Sequence, residues 1–306
     1  RPEAELGVEL APCSPIPAPP KPTAITEPLP PLTSRRNPLV RQLRALHDSR
    51  GRREQGLMLV EGTHLLQEAL RLGLTPRLLL ATSRWCDSHG PLLSALPAGV
   101  PLRLASEEVL AAAASTEHPD GVLLTLPLPE FSASPPAGEF LLVLDRIQDP
   151  GNLGTLLRTA LAAGVDQVWL VEGADPWQPK VLRASSGAAL ALPVLRLDPE
   201  QLRQRLVQAA TRGLQRLAAV LPGPGLTVRP YWQLDWTQPT LLLLGNEASG
   251  LDPALVELAD QLVCIPHADA VESLNVAVAA APLLLERERQ RMGGGAPGLA
   301  QAGGGC

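Results

Sequence analysis

At 306 residues, 45% of them hydrophobic, and with a mean hydropathy of +0.08, the chain is long enough for two domains with real cores. No apolar run reaches the roughly 18 residues that cross a bilayer, and the first residues lack the charge, apolar block and small-residue site of a secretory leader, so a soluble cytoplasmic protein is expected. A formal net charge of −5 disfavours a nucleic-acid binder unless its cations are clustered, so the distribution of charge matters more than its sum.

Residues 1–34 are rich in proline and show no periodicity. Proline neither pairs strands nor continues helices, so this stretch is read as a disordered or extended tail. Leu39, Leu43 and Leu46 then recur at helical spacing. The segment Arg35–Glu54 carries Arg35, Arg36, Arg41, Arg44, Arg50, Arg52 and Arg53 against Asp48 and Glu54 alone. Such a local basic patch fits either a phosphate-binding surface or a solvated helix face. Strands are expected at Leu57–Val60, Arg77–Ala81, Val100–Leu104 and Val122–Leu126, with helices at Glu61–Leu72 and Glu107–Ala114. This alternation implies a small α/β domain over residues 35–127, followed by a proline-rich linker over 128–138.

A second block, 139–291, alternates more cleanly. Strands are expected at Phe140–Leu144, Gln167–Val171, Leu217–Leu221, Thr240–Leu244 and Leu262–Ile265. Helices are expected at Gly154–Ala163, Lys180–Ser186, Pro199–Arg212 and Pro253–Ala259, with a long last helix from Leu274. Fully apolar strands such as Leu241–Leu244 are what a parallel sheet covered on both faces demands. Residues 292–306, mostly glycine and alanine, are read as a second disordered tail. Cys13, Cys86, Cys264 and Cys306 form no C-x-x-C pair and the histidines are scattered, so neither a disulfide framework nor a metal site is expected.

Three segments of the second block place polar residues at strand ends. In Asp145–Ala163, a buried strand leads through Pro150, Gly151 and Gly154 into a helix, with Asn152 near its cap and Arg158 six residues on. With Asn152 outside the regular helix, both side chains can point to the same end of the sheet. In Leu241–Asp252, an apolar strand ends at Gly245 before a turn whose only carboxylate before Asp252 is Glu247. In Ile265–Glu286, Glu272, Ser273 and Asn275 stand at the start of an alanine-rich helix. Each segment alone reads equally well as helix capping. Together they describe a ligand site at the carboxyl ends of a parallel sheet; no G-x-G-x-x-G loop is present, which disfavours a dinucleotide.

In order, spacing and residue identity, N-x-G-x-x-x-R-T-A (Asn152–Ala160), L-G-N-E-x-x-G-L (Leu244–Leu251) and I-P…E-S-L-N-V (Ile265–Val276) closely resemble the SpoU/TrmH family of RNA 2′-O-ribose methyltransferases. The resemblance runs from about Arg36 to Glu288, taking in Lys180–Leu190 and, in the first block, Leu59–Leu70. It implies an α/β protein whose C-terminal parallel-sheet domain is tied in a trefoil knot over about Thr240–Leu285, preceded by a small α/β RNA-binding domain. It further implies S-adenosylmethionine as cofactor, a homodimer whose active sites draw on both subunits, and RNA as partner, with neither membrane nor metal. Gly245, Ile265 and Leu274 are the implied cofactor-binding residues. Asn152, Arg158, Glu247, Ser273 and Asn275 are the implied catalytic residues, with Ser185 a lesser candidate on the RNA side. A guanidinium holds its proton too tightly to be a ready base, so Arg158 is assigned to the RNA phosphate and the developing alkoxide. Large-subunit ribosomal RNA is the expected substrate. Transfer RNA is the alternative, and a non-catalytic RNA-binding or assembly protein keeping the fold is the competing reading. The chain departs from the family where His267 replaces a methionine, where Asp269 and Ala270 stand in a glycine-rich stretch, and at Pro282 inside the last helix, where a kink is expected.

Overall fold

The structure, a computed structural model, describes residues 30–129, 138–268 and 270–293. The chain divides into Arg1–Pro30 and Pro31–Cys306, and every element below belongs to the second unit. Most of the proline-rich tail and linker, Asp269, and the glycine-rich tail after 293 lie outside the described residues.

The first sheet holds β1 (Leu57–Glu61), β2 (Leu78–Ala81), β3 (Leu102–Leu104) and β4 (Val122–Pro127), in the order β1-β4-β2-β3. Side chains alternate across it, as the period of two demands. Met58 and Val60 pack with Leu65, Leu66 and Ala69 on one face, whereas Leu59 packs with Val40, Leu43, Leu46 and Leu110 on the other. Both faces are thus covered. Leu32, expected in the tail, is buried and bridges Ala105. Glu61, expected to open a helix, instead ends β1. Its buried carboxylate accepts from the Ser115 N–H and the Thr116 hydroxyl, and the helix Thr63–Arg71 starts only after Gly62 at φ +101°.

The basic stretch resolves into two short helices, Pro38–Ala45 and Ser49–Gln55. Arg52 does not belong to a surface patch: it is 3% exposed. Its Nη1 donates to the carbonyls of Leu46 and His47, and its Nη2 lies 2.6 Å from Asp175. The other six arginines are exposed.

The second sheet is parallel throughout. It contains β5 (Phe140–Asp145), β6 (Gln167–Val171), β7 (Val194–Leu197), β8 (Gln215–Ala219), β9 (Val228–Pro230), β10 (Thr240–Leu244) and β11 (Gln261–Cys264), ordered β7-β6-β5-β10-β8-β11-β9. Leu142 and Leu144 of β5 face Leu153, Leu156 and Leu157, while Leu141 and Val143 face Leu202 and Leu206. The edge strands β7 and β9 have no counterpart in the sequence reading. Each is short and carries an arginine, the usual means of blunting an edge.

Two late strands are inserted among earlier ones: β10 between β5 and β8, and β11 between β8 and β9. The last helix, Val276–Gly293, returns to pack on the helix Pro150–Ala162. Sequential strands usually lie beside one another; here the last two strands of the sheet lie between earlier ones. The fold class is the expected one, an α/β protein with a parallel-sheet domain preceded by a small α/β domain. Pro282 is accommodated inside the last helix. No described helix is long and apolar enough to cross a membrane.

Candidate active site

The helix after β5 begins at Pro150, not at Gly154. Proline's fixed φ suits the first helical position, and the Asp149 carboxylate caps the end, accepting from the Asn152 N–H at 2.8 Å. Asn152 is therefore in the first turn rather than outside the helix. Six residues at about 100° each carry Arg158 well round the cylinder from it, so the two side chains do not converge. Gly154 is required for packing: a β-carbon there would lie 2.4 Å from that of Ala184, on the helix Pro179–Ala184.

After β10 the chain closes a tight loop. Asn246 and Gly250 exchange backbone hydrogen bonds of 3.1 and 2.9 Å, and the Asn246 side-chain oxygen accepts from the N–H groups of Ala248 and Ser249. A β-carbon on Gly245 would lie 2.2 Å from the Leu251 nitrogen, so only glycine fits the closure. Glu247 stands exposed at the loop's tip.

The last helix begins at Val276, two residues later than Leu274. Asn275 caps it, its Oδ1 accepting from Ala277 and Val278 at 2.9 and 3.3 Å. The same side chain links the segments. Asn275 Nδ2 donates to Asn152 Oδ1 at 3.1 Å, and Asn152 Nδ2 donates to Glu247 Oε1 at 2.7 Å. Three strand ends widely separated in sequence are thus joined by one chain of side-chain hydrogen bonds.

Arg158 is not in that chain. It is exposed, and its Nη1 donates to the Ser186 hydroxyl at 3.1 Å. Ser185 is fully buried, donating to the Leu182 carbonyl and accepting from the Ala189 N–H, so it is closed to RNA. Its neighbour Ser186, held at φ +48°, is the hydroxyl that faces Arg158. The repeated serine in A-S-S-G gave no local signal for which of the two points outward.

Beside the loops lies a cavity of about 640 Å³, at the carboxyl ends of β8, β10 and β11. Gly245, Ile265 and Leu274 all line it, as do Glu247 and Ser273, whereas Asn152, Arg158 and Asn275 do not. The volume suits a nucleoside-sized ligand. Leu244 and Leu283 supply apolar wall, and Glu247 and Glu272 place carboxylates where a cationic sulfonium would be favoured. His267 also lines the cavity, its Nδ1 2.8 Å from the Ile265 carbonyl, so the ring folds back on its own loop. Burial pushes the Cys264 thiol up, leaving it protonated and a poor nucleophile. Among the described residues no cluster of histidine, cysteine and carboxylate groups could hold a metal. The residues present fit S-adenosylmethionine.

A parallel α/β sheet with inserted strands and a cavity at their carboxyl ends marks a ligand-binding domain. Residues 139–285 match the model of the SpoU rRNA methylase family, and residues 37–124 match an MRM3-like substrate binding domain. An uncharacterized tRNA/rRNA methyltransferase of Synechocystis is 46% identical over 87% of this chain and 96% of its own length. The 23S rRNA (guanosine(2553)-2′-O)-methyltransferase of Bacillus subtilis is 33% identical over 83% of this chain and 97% of its own. The AdoMet-bound rRNA methyltransferase of Sinorhizobium meliloti superposes with a TM-score of 0.73, at 33% identity, covering 85% of this chain and 98% of that one. The chain belongs to the SpoU rRNA methylase family. It is an RNA methyltransferase that uses S-adenosylmethionine.

Proposed function

We propose that the protein methylates the 2′-hydroxyl of one ribose in large-subunit ribosomal RNA. The observation that carries this reading is the Asn275–Asn152–Glu247 chain at the edge of a cavity lined by Gly245, Ile265 and Leu274. S-adenosylmethionine, when bound, would supply a methyl group on a cationic sulfur; its transfer to the ribose oxygen would leave the neutral thioether S-adenosylhomocysteine and pass the hydroxyl proton to solvent water. Gly245, Ile265 and Leu274 hold the cofactor, with Gly245 letting backbone close on it. Ser273 and Glu247 face the same space and orient the ribose. Asn152 and Asn275 fix Glu247, so that the reacting groups meet in line. Arg158 binds the adjacent phosphate and stabilises negative charge on the ribose oxygen.

Arg158 does not line its own chain's cavity, which supports a homodimer in which each subunit's Arg158 serves the partner's site. Val278, Leu285 and Met292 recur every seventh residue along the last helix at 61, 45 and 80% exposure. A repeated apolar stripe on a helix favours burial against a second copy. The division of labour proposed is RNA binding by 35–127 and methyl transfer by 139–291. The exposed Arg35, Arg36, Arg41, Arg44, Arg50 and Arg53 are placed on phosphates. A cytoplasmic setting accords with the free thiols of Cys86 and Cys264.

Ribose methylation mapped across ribosomal and transfer RNA, in cells with and without the protein, tests the reading. One missing 2′-O-methyl group in large-subunit RNA, restored by the wild-type chain and not by Arg158→Ala, is expected. Loss of a mark in transfer RNA alone, or of none, overturns it.

A further inference from the structure

The loop after β10 forms a wall of the cavity, yet its shape is fixed from outside by two residues given no part in the chemistry above. Asp145, the last residue of β5, is 3% exposed. Its Oδ1 accepts from Arg146 Nε at 3.1 Å. Its Oδ2 accepts from Arg146 Nη2 at 2.9 Å and from the Asp252 N–H at 3.0 Å. Arg146 reaches further: Nη2 lies 3.4 Å from the Gly250 carbonyl oxygen, and the Arg146 carbonyl accepts from Asn246 Nδ2 at 2.8 Å. One dipeptide therefore grips the loop at its start, through Asn246, and at its end, through Gly250 and Asp252. Arg146 does so at φ +56°, a left-handed conformation that non-glycine residues avoid unless their surroundings hold them in it. The Asp145 carboxylate also raises the affinity of the Arg146 guanidinium for its proton, so the grip stays charged.

We propose that Asp145 and Arg146 are positioning residues for S-adenosylmethionine, a clamp that holds the 245–251 wall at the spacing the cofactor needs. This rests on the reading of the cavity as the cofactor site. The loop's tip is tied separately, since Glu247 is held by Asn152. Removing the side-chain grip frees the end of the loop, Gly250–Asp252, and leaves the tip in place, while the tie of Asn246 to the Arg146 main-chain carbonyl persists. The signature is a higher KM for the cofactor with kcat largely kept.

The test uses the full chain with Arg146→Gly, which accepts the left-handed backbone and removes the whole side chain with its guanidinium, and with Arg146→Lys and Asp145→Asn. Cofactor affinity is measured by calorimetry, KM and kcat on a ribosomal RNA fragment, and Tm without ligand. Arg146→Gly is expected to weaken cofactor binding about tenfold, with kcat within about threefold of wild type and Arg146→Lys recovering part of the loss. Wild-type affinity in Arg146→Gly, or in Asp145→Asn should that glycine variant not fold, overturns the clamp. So does a fall in kcat that tracks Tm across the three variants, since that marks a structural role alone. Failure of the wild-type chain itself to bind the cofactor overturns instead the reading of the cavity, and is seen before any variant is made.

Discussion

Gly245 and Arg158 act by different physics, and their substitutions separate the proposed halves of the site. Gly245→Ala forces a β-carbon to within 2.2 Å of backbone nitrogen, where no side chain can yield. Loss of cofactor binding by at least about a hundredfold is expected by calorimetry, since the loop must open to relieve the clash. Arg158 is exposed and, among the described residues, hydrogen-bonds only to Ser186. Arg158→Ala is expected to lower methyl transfer about a thousandfold, the scale of losing a donor that stabilises developing charge, while cofactor affinity stays within about twofold. Parallel loss of both in single-turnover and binding assays would make it a structural residue. Residue types at the site were legible in the sequence; their pairings were not. Asn152 and Arg158 lie in one motif yet face different partners, because the helix starts at Pro150. The Asp149–Pro150 pair was a start signal of known kind, a capping carboxylate followed by proline.

Among the elements, those with one unambiguous driving force were legible. β5, β6 and β10 are apolar runs buried on both faces, which only a covered parallel sheet explains. The short edge strands β7 and β9 were hidden by their polar and proline residues, since what makes them strands is a neighbour's free hydrogen-bonding edge. The helix Pro150–Ala162 hangs on a single side-chain cap. Asp149→Ala is expected to lower stability by about 1 kcal/mol, read as a lower denaturant midpoint with unchanged m-value. It should also raise the KM for RNA modestly, because Asn152 loses its fixed place in the first turn. β8 and β11 are tied at one end by Arg216 and Asp260, 2.6 Å apart. The Arg216 guanidinium holds the Asp260 carboxyl below the usual carboxylate range. A depressed folded-state pKa means that this contribution is complete above the unfolded value of about 3.9 and is lost as pH falls through the folded one. Asp260→Asn should flatten the acid limb of the stability profile and leave the neutral plateau less affected, measured by urea titration from pH 2 to 7.

For the whole molecule, the contacts between the two sheets' domains are polar as well as apolar. Arg52 reaches Asp175, and Arg183 reaches the buried Glu61 at 3.2 Å. Removing one partner of a buried pair leaves the other uncompensated. Arg52→Met is therefore expected to destabilise the chain by about 3 kcal/mol, and the double change with Asp175→Asn by less, in a thermal or denaturant cycle. Leu285→Glu places a charge in the exposed stripe of the last helix. If that stripe is the subunit interface, sedimentation shows a monomer and methyl transfer is lost, with cofactor binding retained; an unchanged oligomer sinks the proposed arrangement.

The sequence by itself determined the alternation of apolar strands and amphipathic helices, the glycine at Gly245, and the polar groups that end three strands, because burial pattern and backbone freedom are local properties of the chain. Gly245, Ile265 and Leu274, assigned to the cofactor from motif position, line one cavity. Only the tertiary structure decided that β10 and β11 insert among earlier strands, that Asn275, Asn152 and Glu247 form one hydrogen-bonded chain, and that Arg52 is a buried tie rather than a member of the basic surface. The side-chain partners lie 95 to 123 residues apart in the chain, and β11 pairs with strands that precede it by 34 to 44 residues. Local periodicity carries no information about such partners; packing of the folded chain selects them.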